Sequence, residues 1–430
     1  MSYQDRLLKV IPGGAHTYSR GFDQFPANAP QILASGKGAY VVDPEGRQYL
    51  DYGMALRAVH IGYAEDEIDA AAVAQIHLGN NLTRPSLIEL DAAELLVDLI
   101  DSVDMVKFTK NGSTSVSAAV KLARAYTGRE LVARCIEHPF LSYDDWFIGS
   151  TPLTRGIPQQ TLTQTKLFQY NDLTSLEQLI AAHPGQMACV VLEPAATEPP
   201  RDGFLQGVQA LCRQHGIVFI LDEMITGFRW HLKGAQHLYG VQPDLCTFGK
   251  AMANGFSVSC VAGRRDIMEL GSIEAEGRER VFLLSTTHGA EMAGLGAFVA
   301  TVEFMRRNPV VEHLWRYGER LIALMAQKAS AHGIAHSFKA GGVACSPYYL
   351  TLDAAGAVSL PLRTLFCQEM IRNGVLMPWI ALSFRHGDAE LAQTAHALDR
   401  SFAVYRRALD EGVEKYLVGP AIKPVFRKHN

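Results

Sequence analysis

Six short apolar runs, set from about residue 100 onward between segments of helical period, constrain this chain more than any other feature. They read MVKFTK, ELVARC, ACVVLEP, IVFILDE, LCTFGK and SVSCVAG. Near-continuous apolar runs of this length suit strands covered on both faces, with crossover helices between them. The expected fold class is α/β, with a mostly parallel sheet covered by helices. Past residue 305 the chain turns helical, then carries GVACSPYYLTL and GVLMPWIALSF and a last helix from about Asp388. These suggest a smaller α+β domain over 305–430, completed by an N-terminal segment over 1–60, with a large domain over 61–304. GKGAYVVDPEGRQYLDYG, from Gly36 to Gly53, reads as a hairpin turning at Asp43-Pro44-Glu45-Gly46.

Composition narrows the partners. The 430 residues are 48% hydrophobic and 20% charged with net charge −4, and the basic pairs are scattered, so neither nucleic acid nor an anionic membrane is implied. Seven cysteines, at 135, 189, 212, 246, 260, 345 and 367, form no C-x-x-C pair and read as core thiols of a reducing compartment. MSYQDRLLKV lacks a signal-peptide pattern, and GAEMAGLGAFVATVEFM is broken by Glu291 and Glu303, so the expectation is a soluble, cytoplasmic protein.

Ligands of open α/β sheets bind just beyond the carboxyl ends of the strands. Four runs end there on polar residues: Asn111-Gly112-Ser113-Thr114, Glu193, Asp222 and Lys250. The first precedes Val116, Ala119, Val120 and Ala123 at helical spacing, with Gly128 as a C-cap signal, so a helix N-terminus meets a glycine and two hydroxyls. That suits a phosphate; ordinary capping by Ser113 or Thr114 is the alternative. It is neither a Walker loop nor a G-x-G-x-x-G fingerprint. Lys250, between an apolar run and a small loop, is placed as a Schiff-base nucleophile or as a snorkelling surface lysine. Asp222 and Glu223 end an apolar strand, where a buried carboxylate needs a partner. Pyridoxal phosphate (PLP) accounts for all three signals: an anion cradle, a lysine for its aldehyde, and Asp222 for its pyridine nitrogen.

On these residues the chain resembles class III PLP-dependent aminotransferases of fold type I, especially the glutamate-1-semialdehyde aminomutase group. Within it, the sequence is similar to aminomutase-like proteins of bacterial polysaccharide and sugar-nucleotide pathways. IPGGAHTYSRG, KNGSTSVSAAVKLARAYTGR, LDEMITGFR, PDLCTFGKAMANGFSVSCVAGRRDIM and STTHGAEMAG carry the resemblance. It implies a seven-stranded large-domain sheet, a Schiff base on Lys250, Asp222 on the pyridinium, and Gly112, Ser113 and Thr114 at the phosphate. It further implies Thr287 reaching the phosphate of a neighbouring subunit, hence a homodimer with shared sites. Arg20 matches a substrate-carboxylate arginine, and Glu193 a strand-end glutamate near the cofactor. S-G-T-E-A reads Asn111 to Ser115 here, and Tyr-His-Gly is replaced within EHPFLSYDDWFIG. An ungapped match puts Phe140 in the ring-stacking position, with His138 close by as the other candidate. Met224 takes the place of a valine on the opposite ring face.

The function expected is amino-group transfer, as an aminotransferase or aminomutase, between an amino donor and a carbonyl acceptor. An amino or keto acid, or a carboxylate- or sugar-linked carbonyl, would be the substrate. A PLP decarboxylase or epimerase is the alternative within enzymes, and a retired PLP-binding homologue the alternative outside them. His332 and His336 read as a helix-end pair, without the glutamate of H-E-x-x-H, and no metal is expected. His386 reads as structural, Arg229 as a loop anchor, and Trp146 as packing. Trp379 reads as core packing or as part of a substrate entrance.

Overall fold

The computed structural model describes residues 1–429 apart from 196 and 275, and divides into two compact units. One is built from Met1–Glu65 with Glu312–Arg427, the other from Asp66–Val311. Among the described residues, no helix is long and apolar enough to cross a membrane.

The second unit holds a seven-stranded sheet. Its strands are β1 (Met105–Thr109), β2 (Leu131–Cys135), β3 (Thr165–Phe168), β4 (Met187–Leu192), β5 (Val218–Asp222), β6 (Leu245–Phe248) and β7 (Ser259–Gly263). Their order is β1-β7-β6-β5-β4-β2-β3, and the sheet is parallel except for β7, which opposes both its neighbours. Strands β4 to β7 are buried at every residue, which is why they read as unbroken apolar runs. Strand β3 differs. At the sheet edge its residues TKLF are only half covered, so it carries no such run.

Helix Leu173–Ala182 contributes Leu176 and Ile180 to one face of the sheet, and helix Phe204–His215 contributes Leu205, Val208 and Cys212. They meet Ala133, Val190, Phe219 and Leu221. Helix Gly112–Thr127 lies against β1 and β4–β7, burying Val116, Ala119, Val120 and Ala123. Gly128 ends it in the left-handed conformation at φ 68, its N–H bonded to Arg124 O at 2.9 Å. The cap at the other end corrects the sequence reading. Asn111 Oδ1, rather than Ser113 or Thr114, accepts the Thr114 N–H at 2.9 Å.

In the first unit the expected turn at 43–46 joins Tyr40–Val42 to Gln48–Asp51 in antiparallel register, Val42 opposite Gln48. Buried Asp43 holds it, accepting from the backbone N–H groups of Glu45 and Arg47. Phe338–Val343 and Ser346–Thr351 form a second hairpin, and Asp388–Glu411 the last helix. GVLMPWIALSF yields only the short strand Val375–Leu376, paired parallel to Gln48–Asp51. His386 is buried and stacks on Tyr52 with ring centres 4.6 Å apart, a packing role. His332 Nε2 lies 3.3 Å from Asp399 Oδ1, as a helix-end contact.

Candidate active site

The carboxyl edge of the large sheet gathers most of the polar residues singled out above. β5 ends on Asp222 beside Thr247 of β6, and Leu192 of β4 pairs with Leu221, so Glu193 follows at the same edge. Because β7 runs the other way, its first residue, Ser259, opposes Thr109 at the end of β1. Gly249 and Lys250 follow β6.

Side-chain alternation separates the two adjacent acids. Glu223 is fully buried and has a structural task. Its carboxylate accepts the Thr226 hydroxyl at 2.5 Å and the N–H groups of Ala235 and Gln236 at 2.8 Å each, anchoring the helix Gly234–Leu238. Asp222 has lighter duties: Oδ1 accepts from Met224 N at 3.0 Å and from the Thr247 hydroxyl at 3.1 Å. Burial pushes its pKa up to about 6, against the pull of the Lys250 ammonium and these two bonds. A carboxyl so poised ionises readily when a cation arrives beside it.

Lys250 is half-buried and opens a short 3-10 turn with φ 42. That left-handed conformation costs a lysine about 1–2 kcal/mol, so the surrounding structure must impose it. Gly249 has no room for a side chain: a Cβ there would stand 2.5 Å from Ser259 Oγ and 2.6 Å from Met224 Sδ. The Met224 sulfur crowds Gly112 similarly, at 2.7 Å from its would-be Cβ. Met224 is therefore wedged between the first residue of a helix and the residue before Lys250.

At that helix start the N–H of Thr114 is used by Asn111, while Gly112 and Ser113 begin the helix, where backbone donors lack intrahelical acceptors. Ser113 is buried, and its Oγ accepts from Tyr143 N at 3.1 Å. A phosphate can be held at this turn, an aldehyde by Lys250, and a ring nitrogen by Asp222; the chemistry of the residues fits PLP.

His138 and Phe140 part company. His138 is buried, with Nδ1 accepting the Glu193 N–H at 3.1 Å, and burial with Arg134 nearby pushes its pKa down to about 3. It stays neutral and ties the loop to the end of β4. Phe140 is 49% exposed, in a T-shaped contact with Phe147 at 5.9 Å between ring centres. Of the two, Phe140 is the exposed ring. Thr287 lies on the surface of the same unit, its carbonyl accepting from Asn81 Nδ2 at 3.1 Å. Trp146 is buried, with Nε1 bonded to Ser117 Oγ, and Arg229 is buried near the end of β5.

Arg20 belongs to the first unit, where it lines a cavity of about 550 Å³ with Phe22, Phe25, Leu56, Tyr63 and Trp379. One wall has a feature the sequence does not announce. Met54, Ala55, Leu56 and Arg57 all have positive φ, from 39 to 69, with no glycine among them. Buried Asp51 holds this left-handed turn, accepting from Gly53 N at 2.6 Å, Met54 N at 3.0 Å and the Tyr63 hydroxyl at 2.7 Å. The Tyr63 oxygen in turn accepts the Ala55 N–H at 2.8 Å. Tyr63→Phe removes one partner from buried Asp51 and one from the half-buried Ala55 N–H. It is expected to lower stability by about 1–3 kcal/mol in urea unfolding; a loss under roughly 0.3 kcal/mol would show that Tyr63 does not hold the turn.

The family profile described as aminotransferase class-III matches residues 24–377. A 3-aminobutyryl-CoA aminotransferase of Cloacimonas acidaminovorans is 31% identical over 419 residues, 95% of this chain and 98% of that one. The FumI protein of Sphingopyxis sp. MTA144, solved in its PLP internal aldimine form, superposes with TM-score 0.87 at 28% identity, covering 95% and 97% of the two chains. A glutamate-1-semialdehyde aminomutase of Pseudomonas aeruginosa PAO1 shares the fold, with TM-score 0.81 at 20% identity over 94% of each chain.

Proposed function

The chain belongs to the class-III aminotransferase family, whose enzymes transfer amino groups with pyridoxal phosphate, and on that premise we propose how its residues divide the work. With PLP bound, Lys250 Nζ would hold its aldehyde and, once displaced by the substrate amine, would carry the proton from the substrate carbon bearing nitrogen to the carbon on the other side of that nitrogen, the shift that moves the amino group. PLP, when bound, supplies a conjugated sink for the electron pair left behind. Asp222 would keep the ring nitrogen protonated, its carboxylate aimed by Thr247 and Met224 N. Gly112, Ser113 and Thr114 would hold the phosphate, Phe140 and Met224 would flank the ring, and Glu193 stands at the neighbouring strand end. The observation that carries this reading is the poised Asp222 beside Lys250 at the edge where the Gly112 helix begins.

For the substrate, we propose an amino acid donor and a carbonyl acceptor bearing a carboxylate or its thioester. The 31% identity to a 3-aminobutyryl-CoA aminotransferase favours a nitrogen-bearing carbon β to that group. Arg20 is the proposed carboxylate ligand, since its guanidinium fork matches that geometry and the cavity it lines is largely apolar. A sugar-linked carbonyl, as in polysaccharide pathways, is the second reading, and it rests on the sequence resemblance. A homodimer is proposed from exposed Leu78, Leu82, Leu87 and Phe282 on the second unit and from Thr287 nearby in sequence. A cytoplasmic setting accords with seven buried cysteines, none of them in a disulfide.

The test is a single-turnover comparison of holoenzyme with 3-aminobutyrate, α-amino acids and an amino sugar. Conversion of the bound cofactor to its amino form by 3-aminobutyrate, weakened about 10- to 100-fold in apparent affinity by Arg20→Ala, supports the reading. Reaction with the amino sugar alone, unaffected by Arg20→Ala, would replace it. Sedimentation of the same preparation as a monomer would remove the dimer.

A further inference from the structure

We infer that the Tyr143 phenol completes the phosphate cradle, a role no motif in the sequence announces; the inference rests on the proposed binding of phosphate at Gly112–Thr114. Tyr143 lies 29 residues from Thr114, yet its hydroxyl stands 3.4 Å from Thr114 Oγ1. Thr114 Oγ1 gives its own proton to Asn111 Oδ1, at 3.0 Å. At the Thr114–Tyr143 contact the phenol is therefore the donor, and that proton is the one a phosphate oxygen would compete for.

The ring is fixed from its main chain. Tyr143 N donates to Ser113 Oγ at 3.1 Å, Ser142 Oγ donates to Ser113 O at 3.4 Å, and Asp144 N donates to Ser142 Oγ at 3.1 Å. Trp146 Nε1, donating to Ser117 Oγ at 2.9 Å, pins the next turn onto the same helix. So residues 142–146 are stitched along the first two turns of the helix that starts at Gly112.

Ser113 supplies an independent sign of a missing acceptor. It is only 5% exposed, and its Oγ accepts from Tyr143 N, which leaves its own proton uncommitted among the described residues. Two hydroxyl donors, from Ser113 and Tyr143, and the free N–H groups of the first turn therefore all belong to one helix start and the residue packed on it. Tyr143 itself is 58% exposed, so its phenol can be reached by a ligand without moving the loop. A neutral O–H to a phosphate dianion is a charge-assisted bond, stronger than the phenol's contact with Thr114.

The experiment compares apoenzyme binding of PLP and of pyridoxal, which lacks the phosphate, in wild type, Tyr143→Phe and Phe140→Leu, followed by quenching of tryptophan fluorescence. Tyr143→Phe keeps the ring and loses one donor to a charged group. Its Kd for PLP is expected to rise about tenfold with pyridoxal binding unchanged. Phe140→Leu is expected to weaken both ligands alike, since the ring face is common to them. An unchanged PLP affinity in Tyr143→Phe, or equal losses for PLP and pyridoxal, would overturn the assignment. A wild type that binds no PLP at all would instead overturn the phosphate site on which it rests.

Discussion

Lys250→Ala is expected to leave a folded protein that still takes up PLP at the Gly112–Thr114 turn but turns over amines about four orders of magnitude more slowly. Two losses combine. In the proposed role of Lys250 the covalent tether goes, and so does the base that moves the proton on the substrate carbon, a contribution of about 10²–10⁴ by itself. Lys250 is half-buried and sits at the sheet edge, outside the strand core, so truncation opens no large cavity. Single-turnover assays with an excess of amine check it. Partial rescue by added methylamine would identify the missing group as an amine, whereas a residual rate within tenfold of wild type would remove Lys250 from the reaction.

Asp222→Asn is expected to lower kcat by about 10²–10³, the usual effect of deleting one preorganised charge from the site where charge develops. The amide keeps an acceptor for Thr247 and Met224 N, so the geometry of the edge survives and only the charge is lost. The same substitution has a signature in stability. In the apo chain the Asp222 carboxyl titrates near 6, above its ordinary 3.8, because burial opposes its charge. The folded state therefore holds a proton that the unfolded state has released between those pH values. Its contribution to stability is full below about pH 4 and is lost as pH rises through 6. At pH 7 apo Asp222→Asn is expected to be more stable than wild type by up to roughly 3 kcal/mol, an advantage that vanishes near pH 4. Chemical unfolding of both apo proteins across pH 4–8 reads this directly; equal stability throughout would mean Asp222 is not strained in the empty site. Cofactor binding runs the other way. If Asp222 pairs with the ring nitrogen as proposed, PLP affinity should fall as pH drops below about 6 in wild type, with that component missing from the asparagine variant.

How much of this was legible depended on whether the cause was local. β4, β5 and β6 could be read because burial on both faces forces unbroken apolar runs. β3 could not, since an edge strand with half-covered residues needs no such pattern. The helix after Asn111 was legible from its periodicity and from Gly128, but the identity of its cap was not. Ser113 has the chemistry of a cap, and only the packing of Tyr143 onto it shows that its oxygen is already used. Likewise the choice between Asp222 and Glu223 lay in which face each took, and Glu223 is bound by residues up to thirteen positions away.

The left-handed turn at Met54–Arg57 was illegible for another reason. Asparagine and glycine usually mark such turns, and here the conformation is imposed by Asp51 and Tyr63 rather than favoured by its own residues. Tyr143 is not legible as a site residue, because its relevance depends on a contact with Thr114 that no spacing encodes. A tyrosine three residues after Phe140, within the stretch that replaces Tyr-His-Gly, is the only local hint and does not by itself point to phosphate.

The most direct measurement is reduction of the holoenzyme with borohydride followed by peptide mapping. A cofactor held as described is fixed by the reagent to the peptide carrying Lys250 and to no other, and prior incubation with a reactive amine prevents the labelling. Label on a different lysine, or a cofactor that washes away unreduced, would contradict the account at its centre.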